Sequence, residues 1–264
     1  MHEGMPHKQI FKLSKVEGVK MKVFDIKLTN ELAKLTVYLP DESREMAYMK
    51  NRSGVLVIPG GGYSMCSDRE AEPVALAFLS KGYAAFVLRY TVGKENNFSM
   101  PMADVNEAMK VIHENADEWG VNIKKIAAIG FSAGGHLCAA VSTIGEIRPA
   151  ASILVYPCIL ESIGKILAFP VPGLEKEVDD KTPPAFILAA CEDDLVPIEN
   201  SLAYASALEK KKIPFEIHIY EKGYHGFSLA DNVVYGSEKE RTYCAHIKGW
   251  FDLCATWLSK RFED

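Results

Sequence analysis

Ile126-Ala127-Ala128-Ile129-Gly130-Phe131-Ser132-Ala133-Gly134-Gly135-His136 decides how the whole 264-residue chain is read. An apolar run leads into a serine with glycines two positions before and after it, and small residues follow as far as Thr143. The pattern predicts a buried strand over Ile126–Phe131, a sharp turn, and a small-residue helix over Ala133–Thr143. The turn exposes the Ser132 hydroxyl at a helix N-terminus, where partial positive charge favours a developing anion. The two glycines leave room for strand and helix to approach closely. A serine N-cap between two turn glycines is the plainer reading of five such residues. The strand before and the helix after favour a nucleophile.

Outward from this stretch, apolar runs alternate with helical segments. Strands are expected at Val55–Ile58, Tyr83–Tyr90, Ala151–Tyr156, Ala185–Ala190 and Phe215–Tyr220. Helices are expected at Ala71–Ser80, Met102–Trp119, Ile198–Lys212 and about Glu238–Arg261. Continuous apolar strands separated by helices imply a mostly parallel sheet covered on both faces, an α/β fold. Two earlier segments, Val19–Leu28 and Leu35–Leu39, precede a break at Pro40 and suggest an antiparallel start. There is no internal repeat and no Gly/Pro/Ser-rich linker, so one domain over residues 1–264 is expected. Glu161–Lys181 departs from the alternation and reads as an excursion, either a small lid or a solvated loop.

Parallel sheets of this kind bind ligands beyond the carboxyl ends of their strands. Gly60–Gly62, Ser132, Asp193 and His225 each stand just after an apolar run. A serine hydroxyl needs a base. His2 and His7 lie in a polar tail, His113 and His246 in expected helices, and His218 inside the last strand. His136 sits on the helix after Ser132, which would point it away from the hydroxyl and suits packing better. His225, in Gly223-Tyr224-His225-Gly226-Phe227, follows the last strand and is the candidate base. Glu192, Asp193 and Asp194 compete for the acid. Asp193, three residues before Val196-Pro197, is preferred, with Asp194 the rival. Backbone N–H groups of Gly61, Gly62 and Ala133 are the expected oxyanion donors. A simple glycine turn is the alternative for the loop, and no Gly-Lys-Ser/Thr follows to make it a phosphate loop.

Together, Ile58–Tyr63, Ser67–Pro73, Gly82–Tyr90, Gly130–His136 and Gly223–Phe227 resemble the acetylxylan-esterase-like branch of the α/β-hydrolase superfamily. The resemblance runs from about Val55 to the C-terminus. It implies a Ser132–Asp193–His225 triad and removal of acetyl groups from small carbohydrates such as acetylated xylo-oligosaccharides. Tyr63, Arg69 and Glu70, after the glycine loop, would then line the sugar side. One departure stands out: the branch has histidine before Pro-Gly-Gly-Gly, and here that position is Ile58. The loop must therefore be held differently or more loosely. An arylformamidase or an oligopeptidase-like hydrolase shares the same elbow and triad, and a binding protein on the same scaffold is the non-enzymatic rival.

Acyl transfer by such a triad needs no metal and no organic cofactor. The expected partner is a small-molecule ester. A net charge of −5 with no face-sized basic run gives no reason to expect nucleic acid or an anionic membrane. Lys210–Lys212 reads as a solvated helix end. No run reaches membrane-span length, and Met1–Ile10 lacks an apolar signal core, so a cytoplasmic address is the default expectation. Six cysteines without paired spacing read as free, mostly buried thiols. Oligomeric state, a homo-oligomer included, stays open.

Overall fold

The structure, a computed structural model, describes residues 21–41 and 51–263. The tail histidines and the first two residues of the Val19–Leu28 segment lie outside the described residues. Among the described residues, eight strands form one sheet in the order β1-β2-β4-β3-β5-β6-β7-β8. They are β1 (Met21–Lys27), β2 (Lys34–Pro40), β3 (Arg52–Ile58), β4 (Ala84–Arg89), β5 (Val121–Phe131), β6 (Ala151–Val155), β7 (Ala185–Ala190) and β8 (Phe215–Tyr220). β1, β2 and β4 pair antiparallel, and every pair from β4 to β8 is parallel. This is the expected mostly parallel sheet with an antiparallel start.

Alternate residues of the central strands feed two separate cores. Leu56, Ile58, Ala128, Leu154 and Ile187 face α2 (Ser99–Glu114), α4 (Ser132–Ile144) and α5 (Glu199–Lys210). Val55, Val57, Ile129, Ile153 and Phe186 face α1 (Glu72–Leu79) and α7 (Trp250–Phe262). Each large apolar side chain so buried stabilises the fold by roughly 1.5–3 kcal/mol.

Several boundaries differ from expectation. β5 begins at Val121, five residues early, because Lys124 and Lys125 sit on its exposed start and hide the strand pattern. The Met102–Trp119 helix starts at Ser99 and breaks at Asn115, leaving α3 (Ala116–Trp119) as a separate turn. Asn115 turns its amide back onto the Val111 carbonyl, competing with helix continuation. The closing helix is two, α6 (Glu238–Cys244) and α7, separated by a 3₁₀ turn and Gly249.

The excursion holds two 3₁₀ turns, Glu161–Ile166 and Leu174–Lys176. Phe169, Val171, Leu174 and Val178 are buried within it and join the core on the α4 side. Ala168 N–H donates to the Gly62 carbonyl at 2.8 Å, tying the excursion to the glycine loop. All six cysteines are free thiols; Cys191 is exposed, Cys66 half-buried and the others buried. Among the described residues, no helix is long and apolar enough to cross a membrane.

Candidate active site

The site forms where β3, β5, β6, β7 and β8 end. Ser132 follows β5 directly with φ +53°, a left-handed conformation that an L-residue adopts only at a cost of roughly 1–2 kcal/mol. Packing enforces this strain. A Cβ on Gly130 would lie 2.2 Å from the Gly134 carbonyl, and one on Gly134 would lie 2.2 Å from the Ile58 carbonyl. The elbow therefore closes only with glycine at both positions. Ser132 through Thr143 are buried, so α4 must be made of small residues to lie this close to the sheet.

His225 bridges the other two groups. Its Nε2 is 2.8 Å from Ser132 Oγ, and its Nδ1 is 2.7 Å from Asp193 Oδ2. A carboxylate only accepts, so Nδ1 carries the proton and Nε2 is free to accept from the serine hydroxyl. The Asp193 side chain is 1% exposed and that of His225 13%. Asp193 Oδ1 accepts the N–H groups of Leu195 at 3.0 Å and Val196 at 2.9 Å. Those bonds leave Oδ2 for the imidazole. The rivals are elsewhere: Asp194 is exposed, and Glu192 accepts from the Tyr243 hydroxyl at the surface.

Gly60, Gly61 and Gly62 follow β3 beside the serine. A Cβ on Gly60 would lie 2.9 Å from that of Ser132. The Gly60 N–H is occupied, donating to Glu70 Oε2 at 2.8 Å. Among the described residues, no acceptor engages the Gly61 and Gly62 N–H groups. Ala133 N–H lies in the first turn of α4, where no intrahelical acceptor exists. These three donors are free to meet an oxyanion.

The loop lacks the histidine expected before it and is held by other groups. Ile58 is buried in the core. The Tyr90 hydroxyl donates to the Pro59 carbonyl at 2.8 Å, Glu70 takes the Gly60 N–H, and Ala168 takes the Gly62 carbonyl. Two residues expected on the sugar side are thereby corrected. Tyr63 is 0% exposed and Glu70 3% exposed, and each spends its polar group inside the protein. Arg69 is exposed, and its Nη2 would be 3.3 Å from a Cβ on Gly226, directly after His225.

His136, fully buried, is joined to Tyr63. Its Nε2 is 3.0 Å from the Pro172 carbonyl and its Nδ1 is 2.9 Å from the Tyr63 hydroxyl. The carbonyl can only accept, so Nε2 donates and Nδ1 accepts from Tyr63. Burial lowers its pKa to about 4, which keeps the ring neutral. Its role is to join α4, the glycine loop and the excursion.

Tyr156 was not foreseen as a site residue. It stands immediately after β6 with φ +38°, and its ring packs edge-on to His225 at 4.9 Å. Its hydroxyl donates to Glu70 Oε1 at 2.6 Å and accepts the Ser228 N–H at 3.0 Å. Its place at a strand's carboxyl end, in line with Gly60, Ser132, Asp193 and His225, was the available signal.

Known proteins agree with this architecture. The family model BD-FAE matches residues 35–150, and the prolyl oligopeptidase family model matches residues 171–253. The crystal structure of MGS-M1, an α/β-hydrolase enzyme from a Medee basin deep-sea metagenome library, is 42% identical, covering 91% of this chain and 98% of that one with a TM-score of 0.85. The chain belongs to the α/β-hydrolase family. This α/β hydrolase is also 37% identical over 220 residues to endo-1,4-β-xylanase B of Butyrivibrio fibrisolvens, covering 70% of this chain and 35% of that protein. It is 32% identical over 224 residues to the acetylxylan esterase of Xylanibacter ruminicola, covering 74% of this chain and 46% of that protein. The chain thus spans less than half the length of these two relatives.

Proposed function

We propose that this α/β hydrolase is a serine esterase that removes short acyl groups, acetyl above all, from small carbohydrates. The observation that carries the reading is the unbroken bond chain from Ser132 Oγ through His225 to Asp193. The likeness to an acetylxylan esterase supports the acyl and alcohol classes. Ser132 attacks the ester carbonyl as His225 Nε2 takes its proton. The negative oxygen meets the N–H groups of Gly61, Gly62 and Ala133, each worth about 2.7–4 kcal/mol in such a site. His225 returns the proton to the departing alcohol, leaving an acyl-enzyme. It then deprotonates a water, which releases the acid and the free serine. Asp193 holds the tautomer and stabilises the imidazolium without taking the proton. Arg69, exposed beside the His225 loop, is the residue of the glycine-loop segment that remains a candidate to touch the sugar.

A fluorophosphonate probe should label Ser132, and Ser132→Ala should lose labelling and roughly 10⁴-fold or more of kcat. Full esterase activity in Ser132→Ala would sink the reading. A panel of acetylated xylo-oligosaccharides, longer acyl esters, N-formylkynurenine and short peptides sorts the substrate class. The match of residues 171–253 to the prolyl oligopeptidase family favours one second reading, a peptidase, which peptide cleavage exceeding ester cleavage would establish.

A further inference from the structure

The acyl-transfer steps leave unused a buried carboxylate that is bonded to the glycine loop, Glu70. Glu70 ends the 3₁₀ turn Asp68–Glu70, and burial pushes its pKa upward. The sequence around it points to no buried role, since Asp68 and Arg69 beside it are exposed. Its two oxygens face different parts of the site. Oε2 accepts from Gly60 N–H at 2.8 Å, in the loop that carries the oxyanion donors. Oε1 accepts from the Tyr156 hydroxyl at 2.6 Å, and that hydroxyl accepts from Ser228 N–H, three residues after His225. A second link runs in parallel: Ser228 Oγ donates to the Arg69 carbonyl at 2.6 Å. From the other side, Trp250 Nε1 donates to the Ser228 carbonyl at 3.0 Å.

The turn that bears Glu70 is itself fixed. Arg89, at the end of β4, donates to Asp68 at 2.9 Å and to Glu72 at 2.8 Å. Glu70 therefore sits on a pinned turn, bonded directly to the glycine loop and through Tyr156 to the His225 loop. Among the described residues, nothing else bonded to Gly60 reaches the His225 loop.

The donors decide the charge of Glu70. Gly60 N–H and Tyr156 O–H both point at it, and the Tyr156 oxygen already accepts from Ser228. Only the carboxylate gives every donor an acceptor. A protonated acid or an amide would set a second hydrogen against one of them.

We infer that Glu70 is a positioning residue that holds the oxyanion loop and the histidine loop in register, one carboxylate oxygen to each. It takes the place of the histidine that Ile58 displaces, and reaches further, because it also governs the base. The inference rests on the esterase reading and deepens it. Binding of the ester ground state does not use this register, whereas the transition state uses both loops at once.

The test compares Glu70→Gln and Tyr156→Phe with the wild type on p-nitrophenyl acetate. Glu70→Gln should lower kcat about tenfold to a hundredfold, with KM within about twofold. Tyr156→Phe, which keeps the ring against His225 and removes only the hydroxyl, should lower kcat by a smaller factor with KM again unchanged. A merely structural role predicts a lower melting temperature with kcat per folded molecule intact, and that result would overturn the inference. An increase in KM alone would overturn it too, since it would make Glu70 a substrate contact. Should Glu70→Gln fail to fold, the kcat of Tyr156→Phe decides: unchanged kcat refutes the link to the base. Fluorophosphonate labelling of Ser132 in the wild type separates the two failures. A labelled, active wild type with an unaffected Glu70→Gln sinks this inference alone, whereas an unlabelled wild type sinks the esterase reading beneath it.

Discussion

Glu192, Asp193 and Asp194 are chemically near-identical neighbours with different surroundings. Only Asp193 turns under the backbone, where two N–H groups hold one oxygen and leave the other for His225. The spacing to Val196-Pro197 made that legible, since the turn that accepts from Leu195 and Val196 must precede α5 by a fixed number of residues. Sequence could not reveal that Glu70 and Tyr63 point inward, because both follow the glycine loop in the manner of substrate contacts. The partners that draw them in, Tyr156 and His136, lie 86 and 73 residues away along the chain. The choice of acid is directly testable. Asp193→Asn presents an amide where Nδ1–H needs an acceptor, so kcat for p-nitrophenyl acetate should fall by roughly 10³–10⁴. Asp194→Asn should stay within about twofold. Equal losses in the two variants would mean that the acid is not Asp193.

Among the elements, the elbow was the most legible because its constraints are local. Strand, turn and helix meet within about ten residues, and their glycines are dictated by contacts of their own backbone. Helix ends were less legible. Asn115 and Gly249 interrupt segments whose apolar periodicity continues across them, and periodicity does not register a side chain that turns back onto a carbonyl four residues earlier, as Asn115 does. The excursion was the least legible element. Its prolines and acidic residues suggest solvent, yet Ala168 and Pro172 bond it to the glycine loop and to His136. The bonded carbonyls are what a lid would have to surrender in order to open. Element packing predicts a steep cost at the elbow. In Gly134→Ala the new methyl meets the Ile58 and Pro59 carbonyls at 2.2 and 2.3 Å, backbone atoms that cannot swing aside. Thermal or urea unfolding should show a loss of at least roughly 3 kcal/mol. Gly62→Ala finds no atom within 4 Å and carries only its φ of +65°, so it should lose about 1–2 kcal/mol. A Gly134→Ala protein as stable as Gly62→Ala would mean that α4 does not sit this close to β3.

Across the whole molecule, a neutral imidazole is among the groups that join the α4-side core to the site. His136 bonds Tyr63 of the glycine loop and Pro172 of the excursion from within α4, its ring edge-on to those of Phe98 and Tyr63. Its folded pKa, lowered by burial to about 4, lies below the 6.5 of an exposed histidine. Between those values the unfolded chain binds a proton that the folded chain refuses. Stability from this group is therefore complete above about pH 6.5 and is lost as pH falls toward 4, by up to about 1.4 kcal/mol per pH unit. His113, lowered by burial as well, acts with the same sign, while Glu70 and Asp104, raised by burial, act with the opposite one. Only a comparison between variants isolates His136. A glutamine there can accept from Tyr63 and donate to Pro172 but cannot take up a proton. Melting temperatures at pH 7 and pH 5 should therefore converge more closely in His136→Gln than in the wild type, even where the variant starts lower. An identical drop from pH 7 to pH 5 in both proteins would show that acid attacks this fold elsewhere.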